Sequence, residues 1–107
     1  MDILGSKELI EEVINNDDMV LVYFGSKTCG VCIDMKPKVE EMLKRYPKIK
    51  SIYIDVEKSH KIAVDYNIFT IPAILLFIEG KETIREARYI SMQDIDMKIL
   101  RYYDLMM

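Results

Sequence analysis

The chain has 107 residues, half of which are hydrophobic, and this is enough for one domain with an apolar core that needs no disulfide or metal to hold it together. Its 15 basic and 18 acidic residues are spread along the sequence and give a formal net charge of -3, which argues against nucleic acid or an anionic membrane surface as a partner. No apolar run reaches the roughly 18–20 residues of a membrane span, and the N-terminus lacks the basic start of a signal peptide, so we expect a single cytoplasmic domain, residues 1–107.

Hydrophobic periodicity predicts strands and helices that alternate along the chain. The run 19–24 is continuously apolar and rich in strand formers, as in a central strand covered on both faces. Helical spacing follows it, and Pro37 inside this helix is expected to kink it. In chain order the predicted elements are an edge strand at 2–4, a helix at 7–15, a strand at 19–24, a helix from 32 to about 46, a strand at 49–56, a short helix capped by Ser59 and ending near 66, strands at 73–78 and 83–89, and a final helix capped by Ser91.

The order of these elements predicts the fold class. A strand, a crossover helix and a second strand form a right-handed βαβ unit with parallel strands. Glu79-Gly80-Lys81 is a tight turn, so the strand at 83–89 returns antiparallel to the strand at 73–78. We therefore expect an α/β fold with a mixed sheet of four or five strands and helices on both faces.

Cys29 and Cys32 are the only cysteines, and they lie between the predicted central strand and the helix that follows it. One helical turn brings the Cα atoms of such a pair within the about 4.4–6.8 Å that a disulfide needs. Cys29 is expected where the helix leaves its N–H groups unpaired, and the positive end of the helix favours a thiolate. We therefore predict that Cys29 is a nucleophile and that Cys32 is the thiol that resolves the mixed disulfide.

Two alternative interpretations of the cysteine pair are weaker. Buried, inert thiols seldom open a helix directly after a buried strand. A structural zinc site needs four ligands, whereas this chain offers two cysteines and a lone His60, which we expect at the surface. We therefore predict no metal and no organic cofactor, only a redox-active Cys29–Cys32 disulfide.

The sequence resembles the thioredoxin family over nearly its whole length. The resemblance rests on Cys29-Gly30-Val31-Cys32 at the start of a helix, Pro37 within it, Ile71-Pro72 before the hairpin and Gly80 in its turn. It implies a thioredoxin fold. It also implies that Pro72 follows a cis peptide bond opposite the cysteines, that Ile71 pairs main chain to main chain with an extended substrate, and that Thr70, Ile71 and Pro72 form one wall of a shallow groove.

Three residues close to the cysteines depart from the family's pattern. Thr28 and Val31 replace the Trp and the Pro of the Trp-Cys-Gly-Pro-Cys signature; Val31 restores an N–H near the Cys29 sulfur but lacks the fixed φ of proline. Tyr23 stands where thioredoxins keep a buried aspartate that is thought to take the proton from the resolving thiol. A tyrosine, with a reference pKa of about 10, is a poor base at neutral pH. We therefore predict slow resolution by Cys32 and long-lived mixed disulfides.

Two basic residues leave alternatives open. Lys27, two positions before Cys29, either adds positive potential near the thiolate or is only solvated. Arg88 stands where the family commonly has a glycine near the groove, so it either narrows or charges the binding surface or points to solvent.

These observations predict a monomeric thiol-disulfide oxidoreductase that acts on protein or peptide disulfides and receives electrons from a thioredoxin-reductase-like or small-thiol donor. Oxidising members of the family tend to have a histidine between the cysteines, and its absence here favours a reductant. One alternative is a peptide-binding interaction module with little turnover, which the missing aspartate and tryptophan support. Another is a dedicated electron donor to one partner enzyme.

Overall fold

The computed structural model describes residues 1–106, which fold into five strands and four helices. Their bounds are β1 (Asp2–Ile3), α1 (Lys7–Asn16), β2 (Met19–Gly25), α2 (Gly30–Leu43), β3 (Lys50–Asp55), α3 (His60–Asp65), β4 (Ala73–Ile78), β5 (Lys81–Ala87) and α4 (Met92–Met106). The elements occur in the predicted order, and most of their ends lie within two residues of the expected positions.

The five strands form one mixed sheet in the order β1-β3-β2-β4-β5. β1 and β2 both run parallel to β3, whereas β4 runs antiparallel to β2 and pairs with β5 as a hairpin. At the centre of the sheet Val22 lies between Ile52 of β3 and Leu75 of β4. The mixed sheet that the sequence predicts is therefore confirmed, with five strands.

Helices pack on both faces of this sheet because the side chains of β2 alternate between two apolar clusters. Val22 and Phe24 pack with residues of α1 and α3 on one face, and Leu21 and Tyr23 pack with residues of α2 and α4 on the other. Every residue of β2 is buried, as expected for a central strand covered on both sides.

The ends of the helices follow local capping chemistry, with two corrections to the sequence prediction. Ser6 and Ser91 cap α1 and α4, since their hydroxyl oxygens accept the amide protons of Leu9 and Asp94. Ser59 precedes α3, but its side chain forms no capping hydrogen bond.

The second correction concerns the end of α2, which lies at Leu43 instead of near residue 46. Each of the next three residues donates its amide proton to the carbonyl three residues earlier, as in a 3₁₀ turn. The last of these hydrogen bonds joins the Tyr46 amide to the Leu43 carbonyl at 3.0 Å. Pro37 lies inside α2, and the bend expected there stays a prediction.

One end of the sheet gathers the segments that carry the predicted site. β2 ends at Gly25, whose carbonyl accepts the Val56 amide at 2.9 Å just after β3. Because Phe24 pairs with Ala73, the preceding Pro72 lies at the same end of the sheet as Gly25. The Arg88 amide donates to the Pro72 carbonyl at 2.9 Å. Residues from four strand ends therefore meet around the loop that leads from β2 to the cysteines.

Candidate active site

The two cysteines lie at the start of α2 and form a disulfide across its first turn. Cys29 is the N-cap residue, and its sulfur accepts the Cys32 amide proton at 3.2 Å. The two Cα atoms are 5.2 Å apart, within the range that a disulfide needs. Cys29 is partly exposed, whereas Cys32 is only 2% exposed. An attacking substrate therefore has access to Cys29 and not to Cys32.

The sulfur of Cys29 occupies the place that a serine or aspartate oxygen takes in an ordinary N-cap. Its own carbonyl accepts the Ile33 amide at 3.0 Å, which is the first hydrogen bond of the helix. In the oxidised pair the amide that reaches the sulfur is that of Cys32, and a contribution of the Val31 amide to this sulfur stays a prediction. The unpaired amides of the first turn and the helix dipole favour negative charge at this sulfur.

Tyr23 lies beneath the cysteine pair and holds the first turn of α2. Its side chain is fully buried, and its hydroxyl donates to the Cys32 carbonyl at 2.7 Å. Burial, together with the neighbouring Tyr53, raises the pKa of Tyr23 to about 12. At neutral pH this hydroxyl is therefore a proton donor to the backbone and no base for a thiol.

Gly25 packs closely against Cys32, a feature of the site that the sequence analysis missed. A Cβ placed at Gly25 lies 3.1 Å from the Cys32 Cβ and 3.4 Å from the Tyr53 hydroxyl oxygen. A side chain at residue 25 would therefore require Cys32 to shift by a few tenths of an ångström from the end of β2. A glycine that ends a strand before a loop has no local signal of this role, because the atoms that crowd it come from other segments.

The loop before Cys29 is braced by a side chain from the segment that follows β3. Thr28 donates from its hydroxyl to the Glu57 carboxylate, and the Ser26 hydroxyl lies 3.3 Å from the Thr28 hydroxyl. Asp55 fixes the Glu57 segment by accepting the Glu57 amide at 2.9 Å. Thr28, which replaces the family's tryptophan, therefore anchors the loop, and Glu57 is a second residue that the sequence analysis missed.

A cavity of about 400 Å³ opens on one side of Cys32. Lys27 and Pro37, both predicted to support the motif, lie in its wall with Lys36, whose ammonium is 4.9 Å from the centre of the Tyr53 ring. Lys27 and Pro37 are exposed, whereas Cys32, which lines the same cavity, is buried. The full set of lining residues is Ile3, Ser26, Lys27, Cys32, Ile33, Lys36, Pro37, Glu40 and Tyr53.

The predicted groove residues lie at the same end of the sheet. The Ile71–Pro72 peptide bond is cis, Pro72 is buried, Ile71 is partly exposed and Thr70 is exposed. Within residues 1–106, the peptide groups of residues 69–71 form no backbone hydrogen bond. Unpaired N–H and C=O groups at a surface are a template for an extended peptide.

Around the cysteines the surface is open. Gly30 is exposed, and a Cβ built on it meets no atom within 4 Å. Val31 is 59% exposed. Within residues 1–106, there is no group of three or more His, Cys, Asp or Glu side chains placed to hold a metal ion, and His60 is exposed. The same residues contain no helix with the length and apolar character needed to cross a membrane.

A disulfide across the first turn of a helix, with one accessible and one buried sulfur, defines the class of dithiol proteins that exchange electrons through a cysteine pair. The Thioredoxin family model matches residues 2–99 of this chain. The chain therefore belongs to the thioredoxin family, as the sequence motifs predict, and it is a thiol-disulfide oxidoreductase.

Individual relatives agree with this assignment. The thioredoxin-like protein YdfQ of Bacillus subtilis is 32% identical over 102 residues, which are 95% of this chain and 91% of the relative. The thioredoxin of Griffithsia pacifica is 36% identical over 73 residues, or 67% of each chain. The X-ray structure of Fasciola hepatica thioredoxin superposes with a TM-score of 0.86 at 27% identity and covers 94% of this chain and 98% of its own.

The position of Tyr23 predicts how stability depends on pH. Its pKa rises from 10.0 when unfolded to about 12 when folded, so unfolding releases a proton between pH 10 and 12 and stability falls with rising pH in that window. Tyr23→Phe leaves the Cys32 carbonyl without its partner, and we expect a loss of roughly 1–3 kcal/mol at pH 7. Because the variant cannot ionise here, its deficit relative to wild type shrinks above pH 10.

Urea denaturation of the oxidised protein from pH 7 to pH 11 measures this difference. Tyr89→Phe, at a side chain that is 89% exposed, is the matched control and should stay within a few tenths of a kcal/mol of wild type at pH 7. A deficit of Tyr23→Phe that is the same at every pH would contradict the buried position of this hydroxyl.

Proposed function

We propose that this protein reduces disulfide bonds of proteins or peptides, with Cys29 as the nucleophile and Cys32 as the resolving thiol. The observation that carries the proposal is the hydrogen bond from the Cys32 amide to the partly exposed Cys29 sulfur at 3.2 Å, at the N-terminus of α2. A thiolate at this sulfur gains both the amide donor and the helix dipole. Cys32, which is buried, has access to the Cys29 sulfur and none to a bulky substrate.

The reaction then follows two exchanges. The Cys29 thiolate attacks one sulfur of the substrate disulfide, the substrate S–S bond breaks, and the other substrate sulfur leaves as a thiolate that takes a proton from solvent. Cys32 loses its proton and attacks the Cys29 sulfur, which forms the Cys29–Cys32 disulfide and releases the second substrate thiol. The substrate gains two electrons and two protons. An external donor must return both to the cysteine pair.

The groove residues supply the proposed substrate site. An extended peptide forms backbone hydrogen bonds with the unpaired peptide groups of residues 69–71, and Pro72 lies at the end of this segment. Backbone pairing recognises any extended chain, so the affinity it gives is independent of sequence. Thr70 and Ile71 border the peptide on this side.

The electron donor is proposed as a class. A thioredoxin-reductase-like protein or a small cytoplasmic thiol returns two electrons to the oxidised pair, and the protein acts as a monomer and a reductant in the cytoplasm. The role as a reductant is supported by the motif, which has Gly30 and Val31 between the cysteines and lacks the histidine that oxidising members of the family tend to carry.

Trapping tests the assigned order of the two thiols. Cys32→Ser removes the resolving thiol, so substrate proteins should stay attached to Cys29 through a disulfide that dithiothreitol releases. Cys29→Ser, the matched control, should retain no adduct because Cys32 is buried. Each variant is incubated with oxidised insulin and the adducts are read by non-reducing mass spectrometry.

Wild type should also precipitate the insulin B chain in the presence of dithiothreitol. An interaction module with inert thiols would leave insulin soluble and yield no adduct with Cys32→Ser, which would refute the proposed function. A dedicated donor to one enzyme would react poorly with insulin and still give a specific adduct in a cell extract.

Tyr23 predicts a slow resolving step, because its hydroxyl donates to the Cys32 carbonyl and cannot accept a proton. Tyr23→Asp introduces a carboxylate beneath the pair, and we expect resolution to accelerate roughly a hundredfold, the low end of general-base effects. Asn has the same size as Asp but no basic group. A comparison of Tyr23→Asp with Tyr23→Asn therefore separates the effect of proton transfer from the effect of losing the tyrosine ring.

Rapid-quench measurement of the mixed disulfide in a single turnover gives the rate of this step for the three proteins. Equal rates for Tyr23→Asp and Tyr23→Asn, or no gain over wild type, would show that deprotonation of Cys32 does not limit resolution.

A further inference from the structure

Arg88 follows β5 and is fixed to the predicted substrate groove. Its amide donates to the carbonyl of Pro72 at 2.9 Å, so the backbone of Arg88 moves with the segment that precedes β4. The backbone of Arg88 therefore lies beside Pro72, at the border of the groove. The inference drawn below rests on the proposed function, since it concerns the substrate of the same site.

The conformation of Arg88 is unfavourable for a residue with a side chain. Its φ is +72°, in the left-handed region where glycine is the favoured residue. No packing or ion pair of the side chain offsets this unfavourable conformation, since Arg88 is exposed and forms no salt bridge within residues 1–106. Non-glycine residues held in such conformations are concentrated at functional sites. A role for the side chain is therefore to be sought outside the fold.

The acidic side chains of β5 are already paired with other cations. Glu82 binds Arg85 at 2.7 Å, and Glu86 binds Lys98 at 2.6 Å. The guanidinium of Arg88 instead lies 5.7 Å from the centre of the Tyr89 ring, in a cation–π arrangement that leaves its N–H groups open to a ligand. Arg88 thus gives this border of the groove a positive charge that the fold itself does not neutralise.

Two exposed aromatic side chains adjoin these elements of the groove. Tyr89, which follows Arg88, is 89% exposed, and Phe69, the first residue of the unpaired segment 69–71, is 79% exposed. Aromatic rings and arginine are the side chains most often found at the energetic centres of interfaces. A peptide that pairs with residues 69–71 therefore meets a hydrophobic surface and one cation.

We propose that Arg88 is a specificity residue that selects disulfides flanked by an acidic residue. In this complex the guanidinium of Arg88 donates charge-assisted hydrogen bonds to an Asp or Glu carboxylate within about two residues of the substrate cysteine. The overall charge of -3 does not attract an acidic partner from a distance, so the selection acts on contact. Because the ion pair is exposed to solvent, its effect is modest and weakens with salt.

The test uses two synthetic peptide disulfides that differ only in a Glu or a Gln next to the reactive cysteine. With wild type we expect kcat/KM to be about two- to fivefold higher for the Glu peptide at low salt, the range of an exposed ion pair. In Arg88→Gly, whose backbone suits a φ of +72°, the ratio should fall to about 1. Asn also tolerates this conformation, so the ratio should likewise fall to about 1 in Arg88→Asn. Arg88→Lys should keep part of the preference for the Glu peptide.

Arg101→Gln, a loss of one exposed cation on α4, is the matched control and should keep the wild-type ratio. A ratio near 1 in wild type, or an unchanged preference in Arg88→Gly, would overturn the assignment to Arg88 while reduction of the Gln peptide still upholds the proposed function. Failure of wild type to reduce either peptide would overturn both. Circular dichroism of each variant verifies that it is folded.

Discussion

The chemistry proposed for this protein depends on one contact, in which the Cys32 amide donates to the Cys29 sulfur at the start of α2. The first turn of α2, which makes this contact, packs on the end of β2. Gly25 allows the approach because it has no Cβ, and Tyr23 fixes it through a hydrogen bond to the Cys32 carbonyl. Thr28 then holds the preceding loop against the β3 side of the sheet. Small changes at the end of β2 therefore act directly on the geometry of the reactive sulfur.

Tyr23 stands where typical thioredoxins keep the aspartate that is thought to take the proton from the resolving thiol. The tyrosine stabilises the first turn of α2, but its raised pKa removes any base from beneath the resolving thiol. Cys32 lines the cavity beside Lys36, and the carboxylate-bearing Glu40 lies in the same wall. Slow resolution suits a carrier that stays attached to a chosen partner. The positive charge of Arg88 beside the groove offers a way to choose that partner.

The sequence predicts the elements and the motif because both depend on local signals. Apolar periodicity identifies β2 and α2, and the capping serines and the Gly80 turn act within a few residues of their own positions. The helix end at Leu43 was not predicted. A last turn whose hydrogen bonds span three residues has nearly the same apolar spacing as an α-helical turn, whose hydrogen bonds span four. Gly25 and Glu57 also escaped prediction, since their roles arise from atoms contributed by distant segments. The positive φ of Arg88 agrees with the glycine that the family commonly has at this position.

The pKa of the Cys29 thiol is the most direct test of the proposed nucleophile. The reduced wild-type protein is alkylated with iodoacetamide over a range of pH, and the extent of reaction at each cysteine is read from its own peptide by mass spectrometry. We predict that Cys29 reacts with a midpoint well below the ordinary value of about 8.5, and that Cys32 is protected in the folded protein and reacts only after unfolding in urea. A Cys29 midpoint at or above that of the unfolded chain, or equal reactivity of the two thiols, would contradict the proposed stabilisation of the thiolate at the start of α2.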